Sequence, residues 1–435
     1  MNKIFKFALA AMTATALTAG MTSCSSSDDD GSALINEQNE AISDLTSQYL
    51  GSVVYVTYGN LADACEQLNT LIVSLNTKLQ ANQTVTDAEI QAICAQYKKA
   101  RNYWEESESF LYGAASDYNI DPHIDTWPLA VETLKDILVK DDILARLNAD
   151  DGVEYARTTL SEDGQLGFHG LEFIFFRDGQ PRPASYFNNN ETESYGDYFT
   201  GVNVKAKSEV IYAKAVAGDL RDKTFQLEAC WNPSAPTAHV DRVKACQSSM
   251  GEDYGITNKK SGLTYGATLM LTGSSQGTMA SSWKKVIEVI LVDGCSNICG
   301  EVADQKMGQA YRCASGEAEA EDDPDYIESP YSYNSFNDFY GNIMAIQNAL
   351  YGNIDAAEGA YAKNSVMAYL VKYCPTQARN LQSKLSAALA ALKACQNSGT
   401  PFVKAPGAKY VAEAIDAVGE LDDAINEASS AALKN

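Results

Sequence analysis

The stretch YVTYGNLADACEQLNTLIVSLNTKLQ, Tyr55 to Gln80, places an apolar residue every three or four positions: Tyr58, Leu61, Cys65, Leu68, Ile72, Leu75 and Leu79. That spacing puts one continuous apolar stripe on one side of an α-helix and leaves the other side polar. Leu34 to Leu50 carries the same pattern just upstream. Downstream, Thr86-Asp87-Ala88-Glu89 sets a capping Thr three residues before an acid, a helix-start signal. The helix it opens is predicted to run through Ala100 and Trp104 to Tyr112, with Gly113 as its stop. Pro128 precedes further helical stretches at Leu129–Val139 and Asp141–Leu147, and the last ~60 residues are Ala-rich with few breakers. Alternating strand patterns are scarce. The fold class is therefore all-α, and antiparallel bundles are the simplest way to bury such stripes.

Long irregular loops separate the helical blocks. Arg177–Pro183 leads into the tyrosine-studded Tyr186–Tyr198, Trp231–Thr237 holds Pro233 and Pro236, and Gly251–Gly277 is rich in Gly, Ser and Thr. These breaks place a domain boundary near residue 230, giving domains of residues 34–230 and 231–435. Ser315–Pro330 carries the acid run Glu317–Asp325, which reads as a solvated loop. A faint echo links Ser107–Gly113 with Gln347–Gly352.

The amino terminus has the layout of an export signal: Lys3 and Lys6, then an apolar stretch opening at Phe7 and ending at Met21-Thr22-Ser23-Cys24. The last four residues resemble a lipobox. Residues 1–23 are then a lipoprotein signal peptide, Cys24 carries the lipid, and residues 24–33 form an acidic tether; a plain secretory cut is the alternative. Acids directly after the lipidated cysteine resemble the surface-export signal of Bacteroidetes lipoproteins. The expected location is the cell envelope, on the periplasmic or the outer face of the outer membrane, with the membrane as a partner through Cys24.

The chain carries 57 acids against 33 lysines and arginines, a formal net charge of −24. Removing Lys3 and Lys6 with the signal leaves about −26 by the same counting. Such a field repels phosphate backbones, so nucleic acid is excluded as a partner; it favours metal cations, or serves solubility alone. Beyond Cys24 nine cysteines remain, an odd number. Spacing would let Cys65 bridge Cys94 and Cys374 bridge Cys395, but packing roles suit all nine. Cys295 and Cys299 have no companion Cys-His cluster to complete a zinc site.

The only histidines are His123, His169 and His239. No His-Glu-x-x-His or phosphate-loop motif occurs, and no Gly-x-Ser-x-Gly elbow stands out. One segment stands apart: Gly164-Gln165-Leu166-Gly167-Phe168-His169-Gly170-Leu171-Glu172, followed by Phe173-Ile174-Phe175-Phe176. On a helix His169 and Glu172 share a face. They can ligate one metal ion, or hydrogen-bond so that Glu172 sets the imidazole tautomer. Gly167 and Gly170 allow another chain or a ligand to come close. By spacing alone the pair reads as structural.

Gly167-x-His169-x-x-Glu172 before an aromatic helix resembles the signature of the imelysin family, which includes proteins tied to bacterial iron uptake. Arg101-x-x-Trp104-x-x-Ser107-Glu108-x-Phe110, closing at Tyr112-Gly113, and Ile124-Asp125-Thr126-Trp127-Pro128 are similar to its first-domain blocks. Gly294 to Lys306, with Glu301, and Glu328-Ser329-Pro330-Tyr331-Ser332, followed by Asp338, Asn342-Ile343 and Tyr351-Gly352, resemble its later ones. The resemblance implies two four-helix-bundle-like domains with a site in the cleft between them. It centres that site on Gly167, His169 and Glu172. Arg101, Trp104, Ser107, Glu108, Asp125 and Trp127 would come from the first domain, and Glu301, Lys306, Ser329, Ser332 and Asp338 from the second. Plainer roles are open to several: Trp104 and Trp127 as core, Arg101 as a structural ion pair, Ser329 and Ser332 as caps of a helix beginning near Ser332, and His123 as a loop residue.

Three functions follow as expectations. One is a non-enzymatic binding lipoprotein in iron acquisition, with His169 and Glu172 holding iron or zinc, or a metal-bearing ligand. Another is a metallopeptidase of the imelysin type, which needs more ligands and a general base. The third is a surface protein that engages a protein partner without a small ligand.

Overall fold

The computed structural model describes residues 28–160 and 164–434, so the signal peptide and Cys24 lie outside the described residues. The unit that holds the core spans Asn39–Asn435. The first helix, α1, is Asp28–Tyr49, and a five-residue π-helical stretch, Leu50–Val54, leads from it into α2, Tyr55–Gln80. The start of α1 at Asp28 makes the last residues of the expected tether helical, because extending a formed helix adds one backbone bond per residue at little entropic cost.

The helix α3, Asp87–Glu105, begins at the predicted cap: Thr86 accepts from the Glu89 amide and the Glu89 side chain answers the Thr86 amide. It stops well short of Tyr112. The Ser107 hydroxyl donates to the Trp104 carbonyl at 2.7 Å, and the chain tightens into a 3-10 turn at Glu108–Phe110. A serine side chain competing for the helix's own carbonyls ends the α-helical ladder there. Short helices at Val131–Leu138 and Asp141–Asn148 follow as expected.

Next come α4, Phe168–Phe175, a two-residue hairpin pairing Phe176–Arg177 with Gln180–Pro181, and the long α5, Ala206–Trp231. The expected boundary near residue 230 falls at the C-terminal end of α5. The second half contains a rod of alternating α and π turns from Trp283 to Ser315, then α6 (Ser335–Tyr351), α7 (Pro375–Gln396) and α8 (Lys409–Lys434).

In packing, α5 lies along α2, α2 along α3, and α4 against α3 and α5. In the other half α8 packs on α7 and on the 283–315 rod, and α6 on α7. The seam runs where α6 meets α3. One apolar core is continuous through both halves; the residues of the Tyr58–Leu79 stripe are all buried in it. Trp231 anchors the first half among the rings of Tyr58, Tyr112 and Tyr265. Each fully buried Leu or Ile contributes about 2 kcal/mol of apolar transfer, so the stripe alone decides where α2 lies. Cys65, Cys94 and Cys395 carry free thiols, so neither bridge allowed by spacing forms. No helix among the described residues is long and apolar enough to cross a membrane.

Candidate site: a buried charge cluster at the α3–α6 seam

Arg101, one turn before the end of α3, has no solvent exposure. Burying a guanidinium is costly unless carboxylates surround it, and three do. Nη2 lies 2.6 Å from Glu105 Oε1 and 2.5 Å from Glu328 Oε1, while Nη1 pairs with Asp125 Oδ1. Asp125 also accepts the Trp104 indole N–H at 2.7 Å and meets His169 Nε2 at 3.0 Å. Burial alone would raise the Asp125 carboxyl, but Arg101 and His169 outweigh it and hold the group well below the usual carboxylate range.

The conformation at Gly167 aims His169. Its φ of +86° is open to glycine, and a Cβ there would meet the Ile124 carbonyl oxygen at 1.9 Å. The turn into α4 can therefore press against the chain one residue before Asp125. At Gly170 a Cβ would strike the Tyr212 hydroxyl. Both glycines make room for this chain's own groups.

On α4, His169 and Glu172 do share a face, with Nδ1 3.6 Å from Glu172 Oε2. That is too long for a hydrogen bond. The other Glu172 oxygen, Oε1, accepts from the amides of Tyr331 and Ser332 at 3.0 and 2.7 Å and from the Ser332 hydroxyl at 2.7 Å. Ser332 is thus a clamp on Glu172. The next helix starts three residues later at Ser335, where Asn334 is the capping position. Burial works against the charged imidazolium, yet Asp125 and Glu172 on its two sides push His169 up to about 9. At neutral pH the ring is a cation, with both nitrogens carrying protons.

A second buried cation comes from the rod. A π-helical turn, Glu301–Lys306, brings Lys306 Nζ to 2.9 Å from Glu108, 3.2 Å from Glu328 and 3.6 Å from Glu105. From α6, Asn342 Nδ2 donates to Glu105 Oε2 at 2.7 Å and to Glu108 Oε2 at 3.0 Å, and Asp338 accepts from Asn334. Burial raises Glu108 and Asp338, and raises Glu328 to about 7 against the pull of Lys306.

Of the expected residues, Arg101, Trp104, Glu108, Asp125, His169, Glu172, Lys306 and Ser332 are joined in this one network, and Asp338 and Ser329 are buried beside it. Glu301 lies at the half-exposed edge, where the acids around it and burial raise its carboxyl, burial most. Trp127 is half-buried and stacks on Tyr326 with ring centroids 3.9 Å apart, so it is neither core nor a network member. Ser107 serves the backbone turn. His123 also departs from the loop role: it sits in a short helix, Asp121–Ile124, and reaches Asp219 at 2.6 Å. Glu105, Glu328 and Asn342 were not among the expected site residues. All three had a signal: Glu105 follows Arg101 at helical spacing, and Glu328 and Asn342 stand inside the later blocks of family resemblance.

Six buried carboxylates (Glu105, Glu108, Asp125, Glu172, Glu328 and Asp338) thus face three cations (Arg101, Lys306 and protonated His169). The cluster is enclosed. A surface cavity of about 310 Å³ is lined by Ser332 together with Lys98, Tyr333 and Asn337. An arrangement of this kind can hold a cation or share protons among its acids.

The imelysin family profile matches residues 57–425 of this chain. Iron-regulated protein A of Synechococcus elongatus is 29% identical over 133 residues, covering 31% of each chain. The match therefore spans about a third of that relative's own length. A solved structure from Parabacteroides distasonis, described as a candidate iron-regulated protein A precursor, superposes with a TM-score of 0.68 at 21% identity. It covers 90% of this chain and 95% of its own. At that identity the likeness shows the fold.

Proposed function

The chain belongs to the imelysin family, and from that premise we propose that it is a non-enzymatic binding protein of the cell envelope whose buried cluster takes up a metal cation in iron acquisition. The observation that carries this reading is the charge imbalance: six buried carboxylates against three buried cations. Buried charge of one sign is expensive, and it is relieved by protonation or by a bound cation. Oxygen-rich ligand sets suit iron in its harder states. The names of the relatives, which speak of iron regulation, agree with this direction. The resemblance of Met21-Thr22-Ser23-Cys24 to a lipobox supports attachment to the outer membrane.

The peptidase reading is less well supported. Cleaving a peptide needs a metal with an open position and room for the scissile bond. Here Arg101, Glu105, Glu172 and Glu328 have no exposed surface, and the imidazole is charged. Metal analysis of the purified protein, with iron and manganese titrations by calorimetry, tests the binding reading. Stoichiometric uptake, weakened by substitutions in the cluster, is the expected result. No uptake of any metal at micromolar concentrations would overturn it.

A further inference from the structure

Three groups of acidic or imidazole side chains at the seam bring one ligand atom each within 4.8 Å of one another: Asp125 with His169 and Glu328, Glu105 with Glu108 and Asp125, and Glu105 with Glu328 and Asp338. The chain's own cations satisfy the first two. Arg101 spans Asp125 and Glu328, and His169 bonds the same Asp125. Lys306 pairs with Glu105 and Glu108, and Arg101 joins Glu105 to Asp125.

The third group differs. Glu328 gives Oε1 to Arg101 and Lys306, but Oε2 is buried and receives no hydrogen bond from any described residue. Asp338 gives Oδ1 to Asn334, and its Oδ2 is equally buried and accepts no hydrogen bond of normal geometry, although the Ser329 hydroxyl interacts with this carboxyl. No described basic side chain forms an ion pair with Asp338. A separate, neutral group repeats the pattern. Asn342, fully buried, spends its amide N–H on Glu105 and Glu108, which leaves its Oδ1 beside the same carboxyls without a donor. Buried oxygens of this kind are rare in proteins, and several within one cluster point to a missing positive partner.

We propose that Glu105, Glu328 and Asp338, with the amide oxygen of Asn342, form an all-oxygen seat for one hard cation, of the kind of Ca²⁺, Mn²⁺ or Fe³⁺. The proposal rests on the cation-binding reading above and names the ligands within it. Carboxylate and carbonyl oxygens select hard ions, whereas Zn²⁺ prefers nitrogen or sulfur. His169 and Arg101 are positioning residues: they hold Asp125 and one oxygen of Glu328, and leave the other Glu328 oxygen turned to the seat.

The test uses Mn²⁺ on the purified full chain, read by calorimetry and by electron spin echo modulation of the bound ion. One Mn²⁺ per chain is expected, with no imidazole nitrogen in the modulation. Asp338→Asn and Glu328→Gln, each close to isosteric, should weaken binding at least tenfold, and His169→Gln should change it less than either. Circular dichroism melts confirm that each variant is folded. Imidazole modulation, or loss of binding in His169→Gln with retention in Asp338→Asn, overturns the seat while leaving the cation-binding reading in place. No binding of Mn²⁺, Ca²⁺ or iron by the parent overturns both.

Discussion

Asp125 and His169, 44 residues apart in sequence, meet at 3.0 Å with neither side chain more than 4% exposed. Their pairing ties stability to pH. The folded imidazole is raised to about 9 against the usual 6.5, so its contribution is fully present below pH 6.5 and is lost as the pH rises through 9. A shift of that size corresponds to about 3 kcal/mol. Urea denaturation of the parent and of His169→Gln at pH 6 and pH 9.5 should show the parent losing more stability by roughly that amount. Parallel losses in the two proteins would show that the imidazolium does not carry the effect.

Gly167 and Gly170 should differ in their tolerance of a methyl group. Gly167→Ala faces a fixed backbone oxygen at 1.9 Å and a left-handed φ, which together cost at least about 2 kcal/mol. Gly170→Ala meets the Tyr212 hydroxyl, the end of a side chain that can shift at the loss of its bond to the Gln165 carbonyl. Thermal melts should rank Gly167→Ala below Gly170→Ala, and both below the parent. The reverse order would mean that the turn at Gly167 is softer than its contacts imply.

Helix existence was legible in the chain because each stripe repeats over many turns; α2 runs between the very residues its pattern marks. The end of α3 was not, since its apolar spacing continues past the Ser107 hydroxyl bond that closes the helix. The family motifs located most of the site residues. They did not give their roles: His169 and Glu172, open by spacing to metal ligation or to a mutual hydrogen bond, are held by Asp125 and by the Ser332 clamp. Partners 44 residues from His169 and about 160 residues from Glu172 made that assignment, and no local spacing could foretell it. Glu328 stood three residues past an acid run, in a loop that reads as solvated, so its burial was hidden by its neighbours.

Cys24 provides a test that does not depend on the cluster. If it carries the lipid, Cys24→Ser should move the protein from the membrane fraction to the soluble fraction and abolish labelling by a radiolabelled fatty acid, while the melting temperature of the folded unit, Asn39–Asn435, stays the same. Membrane retention of the variant would refute attachment through this residue.

Arg101 is the cation on which three carboxylates depend. Arg101→Met keeps much of the bulk but leaves Asp125, Glu105 and Glu328 facing one another with only Lys306 and His169 nearby. Removing one partner of a buried charge cluster costs about 3–5 kcal/mol. Arg101→Lys should recover only part of this, because one ammonium group cannot reach all three acids as the two Nη groups do. The loss should also depend on pH in a defined sense. Lowering the pH protonates the stranded acids and removes the repulsion, so the gap between Arg101→Met and the parent should narrow from pH 8 to pH 5. Denaturation at the two values measures this. A gap that stays constant would mean that packing, and not charge, accounts for the cost of losing the guanidinium.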